Sequence, residues 1–490
     1  MNFARLKYIP TALVVLTSLA FSQGSGTIDL NSLENYADQP RPSYILKDNT
    51  PATNPLTDAG ATLGRVLFYD KRLSVNNSVS CASCHHQQFA FGDPDQVSTG
   101  VNGITARHSM RLINTRFAEE KKFFWDERAA SLEEQTSMPL QDHIEMGFSG
   151  TMGDPELDSL LNKMSALEYY SILFKFVYGD AAISEARIQL AMAQFIRSIE
   201  SFDSRFDAGL TQTGDIDAYF PNFTKAQNSG KQLFLGTPVF NNDGERIAGG
   251  AGCALCHTPP EFDIKPGSGN NGFTRKLGGG NDFNITRAPT LRDVVKFNGA
   301  SNGGLMHTGG MFSIIHVIDH YDKIEIVEGN EQIDSVLVRS GRGWNLLLST
   351  QEVRDLFRFI ATLGGTNVYF NPKWSNPFDA NGDLEVIPPT TTGIEPQAPA
   401  DALTFELMQN YPNPFNPSTT ISYRVSQSSR VNLTVYNILG KAIATPVNGF
   451  QEAGRYSISF NAADLTAGIY FYRLTADGQQ VATRKMLLSK

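Results

Sequence analysis

All four cysteines of this 490-residue chain fall in two copies of one pattern, Cys81-Ala82-Ser83-Cys84-His85 and Cys253-Ala254-Leu255-Cys256-His257. Two intervening residues bring both thiols to one side of a helical turn, where they can add to the two vinyl groups of a haem. The next residue then offers its imidazole to the iron. A disulfide, a dithiol redox pair or a zinc site are the competing uses of paired cysteines. A redox pair has no need of a histidine directly after the second cysteine in both copies, and zinc would require further cysteines or a closer histidine set. The pattern therefore predicts two covalently bound haem c groups, attached through Cys81, Cys84, Cys253 and Cys256, with His85 and His257 as proximal iron ligands. No thiol is left for a structural disulfide.

A chain of this length with 41% hydrophobic residues can build two or three domains, each with a core. The balance of 41 basic against 50 acidic residues, a net charge of −9, comes without any Lys/Arg-rich run, so nucleic acid is not an expected partner. Residues 1–22 read as a secretory signal: Arg5 and Lys7 form the charged start, Ile9 to Phe21 is largely apolar, and Ala20 and Ser22 fit the cleavage rule. That apolar stretch of about a dozen residues falls short of the ~20 needed to span a bilayer. The mature chain is expected to begin near Gln23, to carry no transmembrane segment, and to reach the periplasm, cell surface or extracellular space.

Composition divides the remainder. A polar lead covers 23–50, a first haem c domain 51–218, and a second haem c domain 219–385 that loosely repeats the first. Helix starts are marked by Ser131 with Glu134, by Thr224 with Gln227, and by Asp154 followed by Pro155. Ile188, Phe195, Ile196 and Ile199 recur near the helical period, as do Leu356, Phe357, Ile360 and Leu363 before Gly364. Residues 386–402, with Pro388, Pro389, Pro396 and Pro399 among threonines, read as a linker. Beyond it the period becomes two: Ile421, Tyr423, Val425; Val431, Leu433, Val435; Tyr456, Ile458, Phe460; then Tyr470 to Leu474, the Asp477-Gly478 turn, Val481 and Leu487. The expected fold is mainly α, with two cytochrome c-like haem domains, followed by a small all-β immunoglobulin-like sandwich at 403–490.

The runs Leu63-Gly64-Arg65-Val66-Leu67-Phe68-Tyr69-Asp70 and Phe124-Trp125-Asp126-Glu127-Arg128-Ala129, with Gln135 and Glu145-Met146-Gly147, are similar to the bacterial di-haem cytochrome c peroxidase and MauG family. Pro289-Thr290-Leu291-Arg292 and the segment from His307 to Tyr321 continue the resemblance, which covers about residues 55–370. It implies that the first haem is peroxidatic, with Glu145 and Gln135 lining its distal pocket. A carboxylate suits that place, because splitting peroxide heterolytically requires a proton to move from one oxygen to the other. Some members hold a histidine on this iron in the resting state. That position falls on Val101, which cannot coordinate iron, so the first haem is expected to be open without reductive activation unless His86 or His108 substitutes. Trp125 matches the tryptophan that passes electrons or holes between the haems; a large aromatic filling the interface is the plainer alternative.

At the second haem the classical peroxidases use methionine opposite the histidine, and Tyr321 stands at that point here. Ile314, Val317, Ile318 and Tyr321 share one helical stripe, and His316 and His320 are expected on the opposite, solvent face. A phenolate lowers the reduction potential, as in the MauG branch. Met311 is the weaker ligand candidate. The resemblance also implies a calcium ion between the haem domains. Its usual asparagine is replaced by His108, a poor calcium ligand, and its partners fall in Ser301-Asn302-Gly303-Gly304, so calcium stays open. The alternation Asp379, Asn381, Asp383 reads as a solvated turn before a second calcium site.

The run Gln409-Asn410-Tyr411-Pro412-Asn413-Pro414-Phe415-Asn416-Pro417 and the ending Lys485-Met486-Leu487-Leu488-Ser489-Lys490 resemble the C-terminal sorting domain of type IX secretion cargo. A plain adhesion or spacer module is the alternative. Taken together, the expected activity is reduction of hydrogen peroxide to water, with electrons from a small donor protein or an organic reductant. The expected partners are those reductants and the type IX secretion machinery. Two other functions compete: MauG-like oxidation of a protein or organic substrate through a high-valent di-haem state, and a non-catalytic surface electron carrier.

Overall fold

The computed structural model describes residues 24–390, 405–410, 413–452 and 454–489. The predicted signal peptide, most of the predicted linker and the Tyr411-Pro412 pair lie outside them. The chain divides into two compact units, one ending at Thr390 and the other beginning at Thr391.

Ten α-helices occur among the described residues of the first unit: α1 (Asp58–Tyr69), α2 (Leu132–Ser137), α3 (Leu157–Ser165), α4 (Glu168–Tyr178), α5 (Glu185–Arg197), α6 (Arg205–Thr213), α7 (Lys225–Leu235), α8 (Ile314–Asp322), α9 (Thr350–Ile360) and α10 (Asn367–Phe370). The starts of α2 and α7 fall where the capping residues place them. Ser131 Oγ accepts from the Glu134 N–H at 3.1 Å, and Thr224 and Gln227 form a reciprocal box. Asp154 does not cap α3. That helix begins after Glu156, and the Asp154 carboxylate instead meets His143 Nδ1 at 2.8 Å and accepts from Ser149 Oγ at 2.7 Å.

Each motif follows a helix that crosses a partner at very short range. On α1, a Cβ added at Gly64 would lie 2.0 Å from the Ala191 carbonyl oxygen of α5. On α7, a Cβ at Gly230 would lie 1.9 Å from the Asp355 carbonyl oxygen of α9. Absence of a side chain is what lets each pair of backbones approach. Around α1, α4 and α5 a core forms from Leu63, Val66, Leu67, Tyr170, Leu173, Phe174 and Ile188. A second core around α7, α8 and α9 contains Phe206, Phe234, Phe262, Ile314, Ile318, Trp344 and Phe359.

The strands of this unit are short: β1 (Thr27–Asp29), β2 (Pro238–Phe240), β3 (Arg246–Gly249), β4 (His257–Thr258), β5 (Asp263–Ile264), β6 (Val338–Arg339), β7 (Arg342–Gly343) and β8 (Glu385–Ile387). β1 pairs parallel with β8, which fastens the start of the unit to its end. No helix among the described residues is long and apolar enough to cross a membrane.

The second unit holds β9 (Glu406–Leu407), β10 (Ser418–Val425), β11 (Ser429–Asn437), β12 (Ala442–Gln451), β13 (Gly454–Asn461), β14 (Gly468–Ala476) and β15 (Gln479–Leu488). They form two antiparallel sheets, in the orders β13-β10-β9 and β12-β11-β14-β15. Alternate residues Ile421, Tyr423, Val425, Val431, Leu433 and Val435 fill one shared core. Asp477 and Gly478 both take positive φ, 48° and 82°, which the tight turn between β14 and β15 requires. On β15 the buried residues are Met486 and Leu488, so period two turns Leu487 outward.

Candidate functional site

Each Cys-x-x-Cys opens a single tight turn. The Cys84 N–H donates to the Cys81 carbonyl at 3.1 Å and the His85 N–H to the same oxygen at 2.9 Å; in the second copy Cys256 N–H reaches the Cys253 carbonyl at 3.3 Å. All four thiols are free. Nδ1 of His85 lies 3.0 Å from the Phe91 carbonyl oxygen, which fixes the ring and leaves Nε2 for another partner. His257 is held less: its buried Nδ1 has no hydrogen-bond partner among the described residues. Burial pushes both imidazoles down to about 4, so both are neutral, the form in which histidine binds a metal. Free paired thiols beside a neutral imidazole that lines a cavity fit haem c.

Two cavities adjoin these turns. The first is lined by His85, Trp125, Gln135 and Glu145, with Phe124, Arg128 and Asp142 beside them. Gln135 is presented by α2. Glu145 sits on a loop organised by Asp142, whose Oδ1 accepts from the N–H groups of Ile144 at 2.8 Å and Glu145 at 3.0 Å. Burial pushes the Glu145 carboxyl up to about 7, with the charge of Asp142 adding and Arg128 opposing. The loop that carries Val101 is hydrogen-bonded to this segment, Val101 N–H to the Glu145 carbonyl at 3.1 Å and Asn102 N–H to the Ile144 carbonyl at 3.2 Å. Val101 and His86 are not among the cavity-lining residues, whereas His108 is.

The second cavity is lined by Cys253, Cys256 and His257 and by the α8 stripe of Ile314, Val317, Ile318 and Tyr321. Tyr321 Oη accepts from Asn271 Nδ2 at 2.9 Å, and burial raises its phenol above the ordinary tyrosine range. His316 is exposed, as the helical period predicts. His320 is not a solvent residue: the segment around Asn271 folds over it, its Nε2 lies 2.9 Å from the Asn271 carbonyl oxygen, and its ring meets Phe273 edge-on. Met311 is absent from the lining, but Met306 is present, 3.5 Å from Asn271 Nδ2 through its sulfur. Neither Met306 nor Asn271 carries a sequence signal; Asn271, 50 residues before Tyr321 in sequence, meets both Tyr321 and Met306 only in the folded chain.

His108, Met110, Arg111, Trp125, Arg287 and Pro289 line both cavities and so form the wall between them. Trp125 stitches that wall together. Its indole N–H donates to the His108 carbonyl at 2.8 Å, and its own carbonyl accepts from the N–H groups of Thr286 and Arg287, each at 3.1 Å. Its ring meets His307 edge-on, with centroids 6.3 Å apart.

For calcium, no group of three or more His, Cys, Asp or Glu side chains suited to a metal occurs among the described residues. His108 Nδ1 is 3.1 Å from the Gln96 carbonyl oxygen. Asn302 donates to the Asp293 carbonyl at 2.8 Å and to Tyr369 Oη at 3.1 Å. Asp379 Oδ1 accepts from the N–H groups of Asn381 and Asp383, both at 2.8 Å, which closes a turn.

A protein-family profile for di-haem cytochrome c peroxidase matches residues 58–215, and one for a secretion system C-terminal sorting domain matches residues 409–489. The methylamine utilization protein MauG of Methylophilus methylotrophus is 30% identical over 341 residues, covering 66% of this chain and 89% of that protein. A cytochrome c551 peroxidase of Nitrosomonas europaea is 25% identical over 290 residues, covering 56% of this chain and 76% of its own. Among solved structures, a MauG-like protein associated with microbial copper homeostasis superposes with a TM-score of 0.53 at 27% identity, covering 69% of this chain and 99% of the other. Two Cys-x-x-Cys-His turns beside adjacent cavities that share a tryptophan-bearing wall, together with these likenesses, make this chain a member of the di-haem cytochrome c peroxidase and MauG family, extended by a C-terminal secretion sorting domain.

Proposed function

We propose that the protein is a peroxidase that reduces one hydrogen peroxide to two waters, taking two electrons from an external donor and two protons from solvent. One observation carries this reading: His85, Glu145 and Gln135, separated by 60 and 50 residues in sequence, line a single cavity. A haem bound through Cys81, Cys84 and His85 would supply the peroxide-binding metal and the redox chemistry. Glu145, ionised, takes the proton from the near oxygen of peroxide and returns it to the departing oxygen, so that water and not hydroxide leaves. Gln135 orients the peroxide by hydrogen bonding. Trp125, packed in the wall common to both cavities, is the path for electrons from the second site, where His257 and Tyr321 would hold the other haem.

In this proposal residues 51–218 are the peroxidatic haem domain and 219–385 the electron-transfer domain. The 403–490 segment is an immunoglobulin-like sandwich that routes the chain to the cell surface through the type IX machinery, after export directed by residues 1–22. Stopped-flow mixing of the oxidised protein with peroxide is the test. A rapid spectral change at the first haem, followed by turnover of an added one-electron donor, is expected. An unchanged spectrum would leave a plain electron carrier. Tyr321 in the second cavity favours a second reading, MauG-like oxidation of a protein or organic substrate. Peroxide-dependent modification of a partner, without turnover of small donors, would select it.

A further inference from the structure

Arg111 is an arginine without an anion. It is 8% exposed, it lines both cavities, and its Nε is buried with no hydrogen-bond partner. No ion pair of its side chain occurs among the described residues. Two other buried arginines are paired with carboxylates: Arg292 forks onto Asp207 at 2.8 and 2.9 Å and Arg197 meets Glu133, while Arg287 donates to the Glu120 carbonyl at 3.0 Å. The acidic groups that Arg111 feels are already engaged. Asp293 accepts from Ser201 Oγ at 2.6 Å, from Tyr369 Oη at 2.9 Å and from the Gly365 N–H at 2.8 Å. An uncompensated guanidinium in an apolar wall is strongly unfavourable, and arginine cannot escape by losing its proton. Burial does pull it down, to about 10.

The stem of Arg111 is fixed against the loop that follows the first motif, where a Cβ at Gly92 would come within 2.8 Å of its Cγ. Its head therefore stays at the wall. A planar carboxylate is the anion that matches a buried guanidinium fork, and each haem c carries two as propionates. We propose that Arg111 binds a haem propionate at the wall between the two cavities and, as a charge shared by both sites, raises the reduction potential of both haems. This rests on both cavities taking haem, which pyridine haemochrome analysis checks separately.

The test is spectroelectrochemical titration of Arg111→Leu and Arg111→Lys with both haems loaded, alongside resonance Raman of the propionate bending modes. In Arg111→Leu both midpoints should fall, the first haem by about tenfold in its oxidised-to-reduced ratio, or about 59 mV. The propionate modes should shift, and Arg111→Lys should recover most of the midpoint. Unchanged midpoints and modes in a fully loaded Arg111→Leu protein would overturn the assignment. Should that variant fail to load, an unchanged propionate mode in Arg111→Lys would do the same. A wild-type midpoint that follows chloride or phosphate at constant ionic strength would assign the guanidinium to an exchangeable anion instead, and would equally overturn it. Loss of peroxidase turnover with the predicted shifts intact would count against the proposed function alone.

Discussion

A carboxyl group that must both take and give a proton in one turnover works best when its affinity for protons lies near the pH of use. Glu145, pushed up to about 7 by burial with Asp142 adding, meets that condition. It receives the peroxide proton in its ionised form, so kcat/KM for peroxide should rise with pH through about 7 and decline below it. Glu145→Gln should abolish that rise and lower turnover by ~10²–10⁴, as steady-state pH profiles would show. At the second site, Tyr321→Phe removes the proposed iron donor. The spectrum of that haem should change and its midpoint should rise, and titration showing neither would exclude Tyr321 as a ligand. The candidate attachment residues can be picked out from spacing alone, because the covalent chemistry proposed for them is local. Glu145, Gln135 and Tyr321 were singled out only through resemblance, since the cavities they line are assembled by tertiary folding. Arg111 was not legible at all: what marks it is a missing partner, and no sequence displays one.

Helices and strands were more readable, and the failures have causes. Burial follows the 3.6-residue period in α9 and, Thr434 apart, period two in β10 and β11, as the hydrophobic pattern alone predicts, whereas α5 is buried on every side from Ala191 onward. His320 departs from its predicted solvent face because a loop some 50 residues away, around Asn271, closes over it. Asp154 was misread as a cap because its carboxylate has better partners in His143 and Ser149. The close crossings of α1 with α5 and of α7 with α9 make one prediction at this scale. Gly64→Ala and Gly230→Ala each press a methyl group into a backbone carbonyl that can yield only if a helix moves. Each should destabilise the protein by about 1–3 kcal/mol, seen as a lower midpoint in thermal unfolding followed by haem absorbance. Gly449→Ala, with nothing near its Cβ, should leave that midpoint unchanged.

As a whole, the molecule is two compact units with separate cores. Every residue assigned to peroxide chemistry lies in the unit that ends at Thr390. A chain stopped there should retain two haems by pyridine haemochrome analysis and react with peroxide at the full-length rate. Loss of either haem on removal of the tail would show that the units depend on each other. The parallel pairing of β1 with β8 bears on what happens when the chain is pulled. β8 ends at Ile387, three residues before the boundary. Tension drawn from the tail therefore runs along β8 and loads its hydrogen bonds to β1 in shear, so that they must give way together and not one by one. The seam that closes the haem unit is thus also a mechanical clasp, placed where a surface-tethered protein would feel drag first.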